Sequence, residues 1–308
     1  MPIRTVAILS PGDMGHAVGR ALRENAVRVI TCLEGRSKRT RELATRAGIE
    51  NVFNLGDLVT QSDLVLSIIP PAEAMGLARQ VAEAIHSTGS QTLFADCNAI
   101  SPQTSQQIGD LITAAGGRFI DASIIGFPPG ANTPRFYASG PYSSYLAELD
   151  GMGFHVRLLG DVVGKASGIK MCYAAMTKGT SALYLALLTV AELLGLSEDL
   201  YRELEESQSE TYRRMRSRLP ALPAKAHRWV GEMEEIAATF QQAGVTPYFH
   251  LGAAEIYRLM GLIPMAEDTP EGMDTTRTLE QTIAVLAGLA REHSELSTGG
   301  TPSVPATP

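Results

Sequence analysis

Short runs of β-branched and aliphatic residues alternate with amphipathic stretches through the first half of the chain. That alternation predicts a parallel sheet covered by helices. Thr5 to Leu9 (TVAIL) reads as the first strand and Gly15 to Asn25 as the helix that follows it. Val27 to Leu33 (VRVITCL) predicts a second strand, followed by an Arg-rich helix over Lys38 to Ala47. Leu64 to Ile69 (LVLSII), stopped by Pro70-Pro71, Thr92 to Asp96 and Arg118 to Ala122 predict further buried strands. The fold class expected is α/β, a doubly wound parallel sheet with helices on both faces.

The pattern changes near Gly160. Gly164 to Gly195, rich in Ala, Met and Leu and free of proline, predicts one long helix, and only helical patterns follow, such as Glu198 to Arg216 and Val230 to Ala243. The chain therefore divides into a sheet domain over 1–163 and an all-α domain over 164–296. The remainder, 297–308 (STGGTPSVPATP), lacks large apolar side chains and is expected to be a flexible tail. The acidic run Glu203 to Glu206, followed by Arg213, Arg214 and Arg216, reads as a solvated helix face.

Composition narrows the function classes. With 308 residues, 44% hydrophobic and 19% charged, the chain is of ordinary globular type. A net charge of −7 argues against nucleic acid as a partner, since that demands a basic face. Three cysteines, far apart and odd in number, form no disulfide framework and fit a reducing cytoplasm. Met1 to Ser10 is too short for a secretory signal, and the longest apolar run, Ala182 to Ala191, falls short of the roughly 20 residues of a spanning helix. No membrane partner is expected; a small molecule is.

Candidate chemistry begins between the first strand and its helix, at Ser10-Pro11-Gly12-Asp13-Met14-Gly15. Against G-x-G-x-x-G, Ser10 stands at the first glycine, Gly12 lets backbone approach a pyrophosphate, and Gly15 lets the helix pack closely on the strand. The helix start offers N–H groups and a positive dipole end to the anion. This is the Rossmann-type arrangement; the competing reading is a plain βα turn. Asp13 would repel phosphate if it pointed inward, so it is expected to face solvent or cap the helix. Strand two ends in Glu34-Gly35-Arg36-Ser37-Lys38-Arg39. Arg36, Ser37 and Lys38 or Arg39 suit a ribose 2′-phosphate and favour NADP(H), whereas Glu34 is the feature that would favour NAD(H).

On the expected long helix, Lys170, Ala174, Thr177 and Ser181 fall on one stripe, flanked by Tyr173 and Lys178. Small residues beside Lys170 (Gly164, Ala166, Ser167, Gly168) admit a ligand or another backbone. A lysine held partly out of water becomes usable for proton transfer. A surface or snorkelling lysine is the plain alternative.

These segments, in this order, resemble the β-hydroxyacid dehydrogenase superfamily, which includes 6-phosphogluconate and 3-hydroxyisobutyrate dehydrogenases. Gly12-Asp13-Met14-Gly15 is similar to the family's Gly-x-Met-Gly, and Arg36-Ser37 to its arginine–hydroxyl pair for NADP, with Gly35 where NAD-dependent members often carry Asp. Ile69-Pro70-Pro71 corresponds to the proline loop beside the cofactor. Asp96 to Pro102 (DCNAISP) resembles the substrate loop, and Asp121 to Phe127 (DASIIGF) the family's Asp-Ala-Pro-Val-Ser-Gly-Gly. Gly164 to Lys170 matches the segment ending in the catalytic lysine. The resemblance thus implies Lys170 as general acid/base, Asn98 at both cofactor and substrate, and Ile125, Gly126, Phe127, Tyr173, Thr177 and Lys178 lining the substrate.

The departures matter too. Ile125-Gly126-Phe127 stands for Ser-Gly-Gly, Asn98-Ala99 for Ser-Thr, and Ala174 for an asparagine. The chemistry is expected to persist on a bulkier, less acidic substrate.

The C-terminal half is similar to a subgroup with a poorly characterised helical domain. There Gly231-Glu232 stands where many relatives have Lys-Asp near the cofactor. Trp229 either shapes a pocket or packs between helices, while His227 and His250 read as structural. No metal-ligand spacing is present, nor a nucleophile-elbow motif. The function expected is hydride transfer between NADP(H) and a hydroxyl or carbonyl carbon by a homodimer. The alternatives are an imine reductase of the same architecture and a non-catalytic NADP(H) sensor.

Overall fold

The computed structural model describes residues 2–269 and 272–298. Two compact units emerge: the chain up to Ala174 with Ala238–Val245, and Ala175–Ala237 with the chain from Thr246 onward. The division falls inside the long helical stretch expected to open the second domain. Of the expected tail, 297–298 close the last helix and 299–308 lie outside the described residues.

The first unit is an eight-stranded sheet in the order β3-β2-β1-β4-β5-β6-β7-β8. The strands are β1 Thr5–Leu9, β2 Arg28–Cys32, β3 Glu50–Val52, β4 Leu64–Ser67, β5 Leu93–Asp96, β6 Arg118–Ile125, β7 Arg135–Ser139 and β8 His155–Leu158. All neighbours pair in parallel except β6 and β7. Connecting helices are α1 Asp13–Glu24, α2 Lys38–Ala47, α3 Leu55–Gln61, α4 Pro71–Thr88 and α5 Pro102–Ala114.

Alternation along the strands builds two cores. Val6, Ile8, Leu64 and Leu66 pack under Val18 and Leu22 of α1 and Ala44 and Ala47 of α2. Ala7, Leu9 and Val65 face the other way, onto Leu58 of α3, Val81 and Ile85 of α4 and Ile108 of α5. Both faces are covered, as the β-branched strands require. Strand order reverses between β1 and β4, and the carboxyl ends of strands at such a point are the ligand position of doubly wound sheets.

Helix α6 Lys165–Ala174 is followed by a π-helical turn, Ala175–Gly179, and then α7 Thr180–Leu193. The expected single regular helix is thus interrupted. Ala174, expected on the wet stripe, is 2% exposed. By length and apolarity alone the run Lys165–Leu193 could cross a membrane, but α6 packs on β6 and donates to its buried polar groups.

The second unit is helical. It holds α7, α8 Ser197–Ser207, α9 Ser209–Arg218, most of α10 Pro223–Gln242, α11 Tyr248–Met260 and α12 Leu279–Thr298. The helix expected over Glu198 to Arg216 breaks at Gln208, whose φ of −136° and ψ of 39° are not helical. Leu185 and Leu188 of α7 are buried where α7 packs on α11 and α12, with Tyr257, Met260, Ile283 and Leu286 also buried in this unit.

Candidate active site

The β1–α1 loop shows why its glycines are there. A Cβ on Gly15 would stand 2.3 Å from the Ser10 carbonyl oxygen, so only glycine lets α1 start against this turn. Gly12 is the N-cap of α1, makes no side-chain cap, and a Cβ there would meet nothing within 4 Å. The backbone at Gly12 is thus open on its Cβ side, the close approach that a pyrophosphate at a helix start requires. Met14 packs against the core. Asp13, partly exposed, accepts from Arg39 Nη2 at 2.5 Å. That ion pair sets the charges of Asp13 and Arg39 against each other.

After β2, the expected basic cluster separates into different roles. Ser37 caps α2, its hydroxyl accepting from the Thr40 N–H at 3.2 Å. Lys38 lies 3.9 Å from Glu42 on an exposed face. Arg36 is half-buried, and its guanidinium makes no hydrogen bond or ion pair with any described residue. Gly35 is left-handed at φ +67°, a conformation in which a side chain is strained.

Two aspartates in register organise the middle of the sheet, Asp96 ending β5 beside Asp121 of β6. Asp96 accepts from the Asn98 N–H at 2.9 Å and from Asn98 Nδ2 at 3.0 Å. Asn98 Nδ2 also donates to Ser67 Oγ at 2.9 Å, and its Oδ1 accepts from the Ile69 N–H at 2.7 Å. Asn98 is 2% exposed, and all of these partners lie within the protein. Its amide pins the Ile69-Pro70 loop that leads into α4. Burial, then the nearby carboxylates of Asp96 and Asp121, push the Cys97 thiol well up, keeping it unreactive.

At the end of β6 the expected substrate residues divide. Ile125 is buried against Tyr137 and Ala166. Gly126 takes φ +124° where a Cβ would press on Pro134, and Phe127 is 69% exposed. Lys170, on α6, donates from Nζ to the Ile124 carbonyl at 2.8 Å. Ser10, Gly12, Arg36, Ile69, Pro70, Asn98 and Gly126 thus lie at or just beyond the carboxyl ends of neighbouring strands. Lys170 is bonded to that edge at β6, with half-exposed Tyr173 one turn of α6 further along.

Thr177 and Lys178 lie in the second unit. Lys178 Nζ is ion-paired with Glu232, which is 5% exposed, and sits 5.1 Å from the centre of the Trp229 ring. Trp229 meets Tyr257 edge-on at 5.2 Å, and the Tyr257 hydroxyl donates to the Lys178 carbonyl at 2.6 Å, within the π turn. Trp229 therefore packs between helices. Burial lowers the pKa of His250; burial and then Arg228 lower that of His227, so both tend to be neutral at pH 7. Among the described residues no group of His, Cys, Asp or Glu is arranged to hold a metal ion.

The residue that sequence reasoning underrated is Asp121. Its carboxylate is fully buried and accepts from Ser105, Ser139 and Ser167 and from backbone at the start of α6. A charge inside a strand as apolar as RFIDASII was the available signal, because a buried charge must be satisfied.

A doubly wound sheet with this glycine loop at its strand-order reversal has the architecture of a nicotinamide-dependent oxidoreductase, and the relatives agree. Residues 5–148 match the NAD binding domain of 6-phosphogluconate dehydrogenase, and 191–260 match a domain of unknown function, DUF1932. The solved structure of MTH1747, a conserved protein described as similar in structure to 3-hydroxyacid dehydrogenases, is 30% identical. It covers 83% of this chain and 99% of its own, with a TM-score of 0.59. An uncharacterised protein of Methanothermus fervidus is 28% identical over 67% of this chain and 78% of its own length. Mitochondrial 3-hydroxyisobutyrate dehydrogenase of Drosophila melanogaster is 27% identical over 54% of this chain and 55% of its own. The chain belongs to the β-hydroxyacid dehydrogenase superfamily, in a branch whose helical domain is of the DUF1932 kind.

Proposed function

We propose that the protein moves hydride between NADP(H) and a hydroxyl or carbonyl carbon, with Lys170 as general acid/base. The observation that carries this is Lys170 Nζ held at the Ile124 carbonyl, on the sheet edge where the cofactor loops end. The N–H groups opening α1 would hold the pyrophosphate. Arg36 would hold the ribose 2′-phosphate, because it alone of Arg36, Lys38 and Arg39 has no partner among the described residues. The cofactor, when bound, supplies or accepts the hydride. Lys170 gives a proton to the carbonyl oxygen in reduction and takes it back from the hydroxyl in oxidation. With Asn98 engaged and Ile125 buried, polar anchoring falls to backbone near Gly126, which supports a substrate other than a small hydroxyacid.

The test is a screen of ketones, aldehydes and cyclic imines followed by NADPH absorbance. Turnover of carbonyls supports the reading; turnover confined to imines would replace it with an imine reductase. Cofactor choice is checked with Arg36→Ala. Loss of a charge-assisted pair with phosphate is worth about 1.5–3 kcal/mol, so NADPH affinity should fall by about one to two orders of magnitude. NADH affinity should not change; an equal loss for both would remove the 2′-phosphate assignment.

We also infer a homodimer. Met176, Leu183 and Val190, seven residues apart along one helical run, are each more than half exposed in the single chain, which supports burial against a second copy. Light scattering should give twice the chain mass, and Leu183→Glu should return a monomer. A monomeric wild type would reject the inference.

A further inference from the structure

We propose that Asp121 is the positioning residue of the lysine helix: its buried carboxylate fixes the first turn of α6 on β6 and so sets where Lys170 Nζ stands. The proposal builds on the reading of Lys170 as proton donor, but its geometry is independent of the substrate.

The first N–H groups of a helix have no partner inside it. Here Asp121 Oδ2, from a strand more than 40 residues earlier, accepts from the N–H groups of Gly164 at 2.8 Å, Ala166 at 3.0 Å and Ser167 at 3.2 Å. Ser139 Oγ donates to the same oxygen at 2.6 Å. Ser167 Oγ and Ser105 Oγ donate to Oδ1 at 2.6 and 3.0 Å. No cation among the described residues pairs with this carboxylate. It is held by donors alone, at the helix end where a negative charge is favoured.

The same strand then holds the helix twice more. Ser123 Oγ donates to the Ala166 carbonyl at 2.7 Å, and the Ile124 carbonyl accepts from Lys170 Nζ at 2.8 Å. Lys170 follows Ser167 by three residues, one turn along. The register of α6 on β6 therefore decides whether the ammonium reaches Ile124, and Asp121 is the strongest determinant of that register. Gly164, at φ +100° with a would-be Cβ 3.1 Å from Pro102, lets the helix begin this close to α5.

The experiment labels lysines of the intact protein with an N-hydroxysuccinimide ester and reads each rate by mass spectrometry. Lys38, on an exposed face, serves as the internal reference. Asp121→Asn and Ser167→Ala should raise the relative rate at Lys170 about fivefold, the equivalent of one net hydrogen bond. Ser105→Ala loosens the same carboxylate from α5; it should lower Tm and leave the Lys170 rate where it was. With a substrate in hand, Ser167→Ala should lower kcat without changing the NADPH Kd.

A folded Asp121→Asn protein that labels Lys170 at the wild-type rate would overturn the proposal, and Ser167→Ala decides it if the Asn variant does not fold. An equal rise in Ser105→Ala would reduce Asp121 to a general stabiliser. Full turnover by Lys170→Met would instead remove the acid/base role and leave the labelling result standing.

Discussion

Replacing Lys170 with methionine is expected to lower kcat by about 10²–10⁴-fold, the usual worth of a positioned general acid/base, while the NADPH Kd stays the same. Methionine keeps an unbranched apolar stem, so the packing of half-buried Lys170 on α6 is largely preserved. What is lost is the ammonium and its bond to the Ile124 carbonyl. Neither the Ser10–Gly15 loop nor Arg36 takes part in that bond. Absorbance assays give kcat, and cofactor fluorescence gives Kd on the same samples. Unchanged turnover on carbonyl substrates would end the acid/base assignment. Cofactor binding with no turnover by the wild type on any alcohol, carbonyl or imine would favour a non-catalytic sensor.

Replacing Lys178 with methionine should cost about 3–5 kcal/mol of stability, the range for breaking a buried ion pair by deleting one partner. Glu232 would be left 5% exposed without its cation, and its Oε1 already has no hydrogen-bond partner among the described residues. The stacking of the ammonium on Trp229 is lost as well. Trp229 is the single tryptophan, so its fluorescence during urea unfolding reports on this unit alone. Pairing the change with Glu232→Gln should restore much of the loss, because the lone charge disappears too. A shift of the order expected for a surface pair, about 0–1 kcal/mol, would show that Lys178 and Glu232 are not coupled in solution.

What the sequence made legible depended on how local each requirement was. β1 and α2 have the expected bounds because their hydrophobic period is complete within the segment. The phosphate loop was readable because Gly15 answers to Ser10, only a few residues away. Arg36 was readable as a candidate cofactor ligand, but the pairing of Arg39 with Asp13 was not, since that pair joins two helices. β6 runs on to Ile125, past the expected end at Ala122, because β7 pairs antiparallel with its last residues, and β7, β8 and β3 are too short or too polar to stand out. The single regular helix expected over Gly164 to Gly195 is interrupted by the π turn Ala175–Gly179, which no periodic reading of an uninterrupted Ala-rich segment reveals. Asn98 was visible as a polar residue just past a strand and Asp121 as a charge within one. Their partners, a backbone N–H at Ile69 and the opening turn of α6, lie too far along the chain to be inferred from spacing.

The most direct measurement is a crystal structure with NADP⁺ and the best substrate or product analogue from the screen. The nicotinamide C4 and the reacting carbon should stand about 3–3.5 Å apart, with Lys170 Nζ within hydrogen-bond distance of the substrate oxygen. A complex in which that oxygen is held by other groups, and Lys170 is turned away from the nicotinamide, would contradict the account.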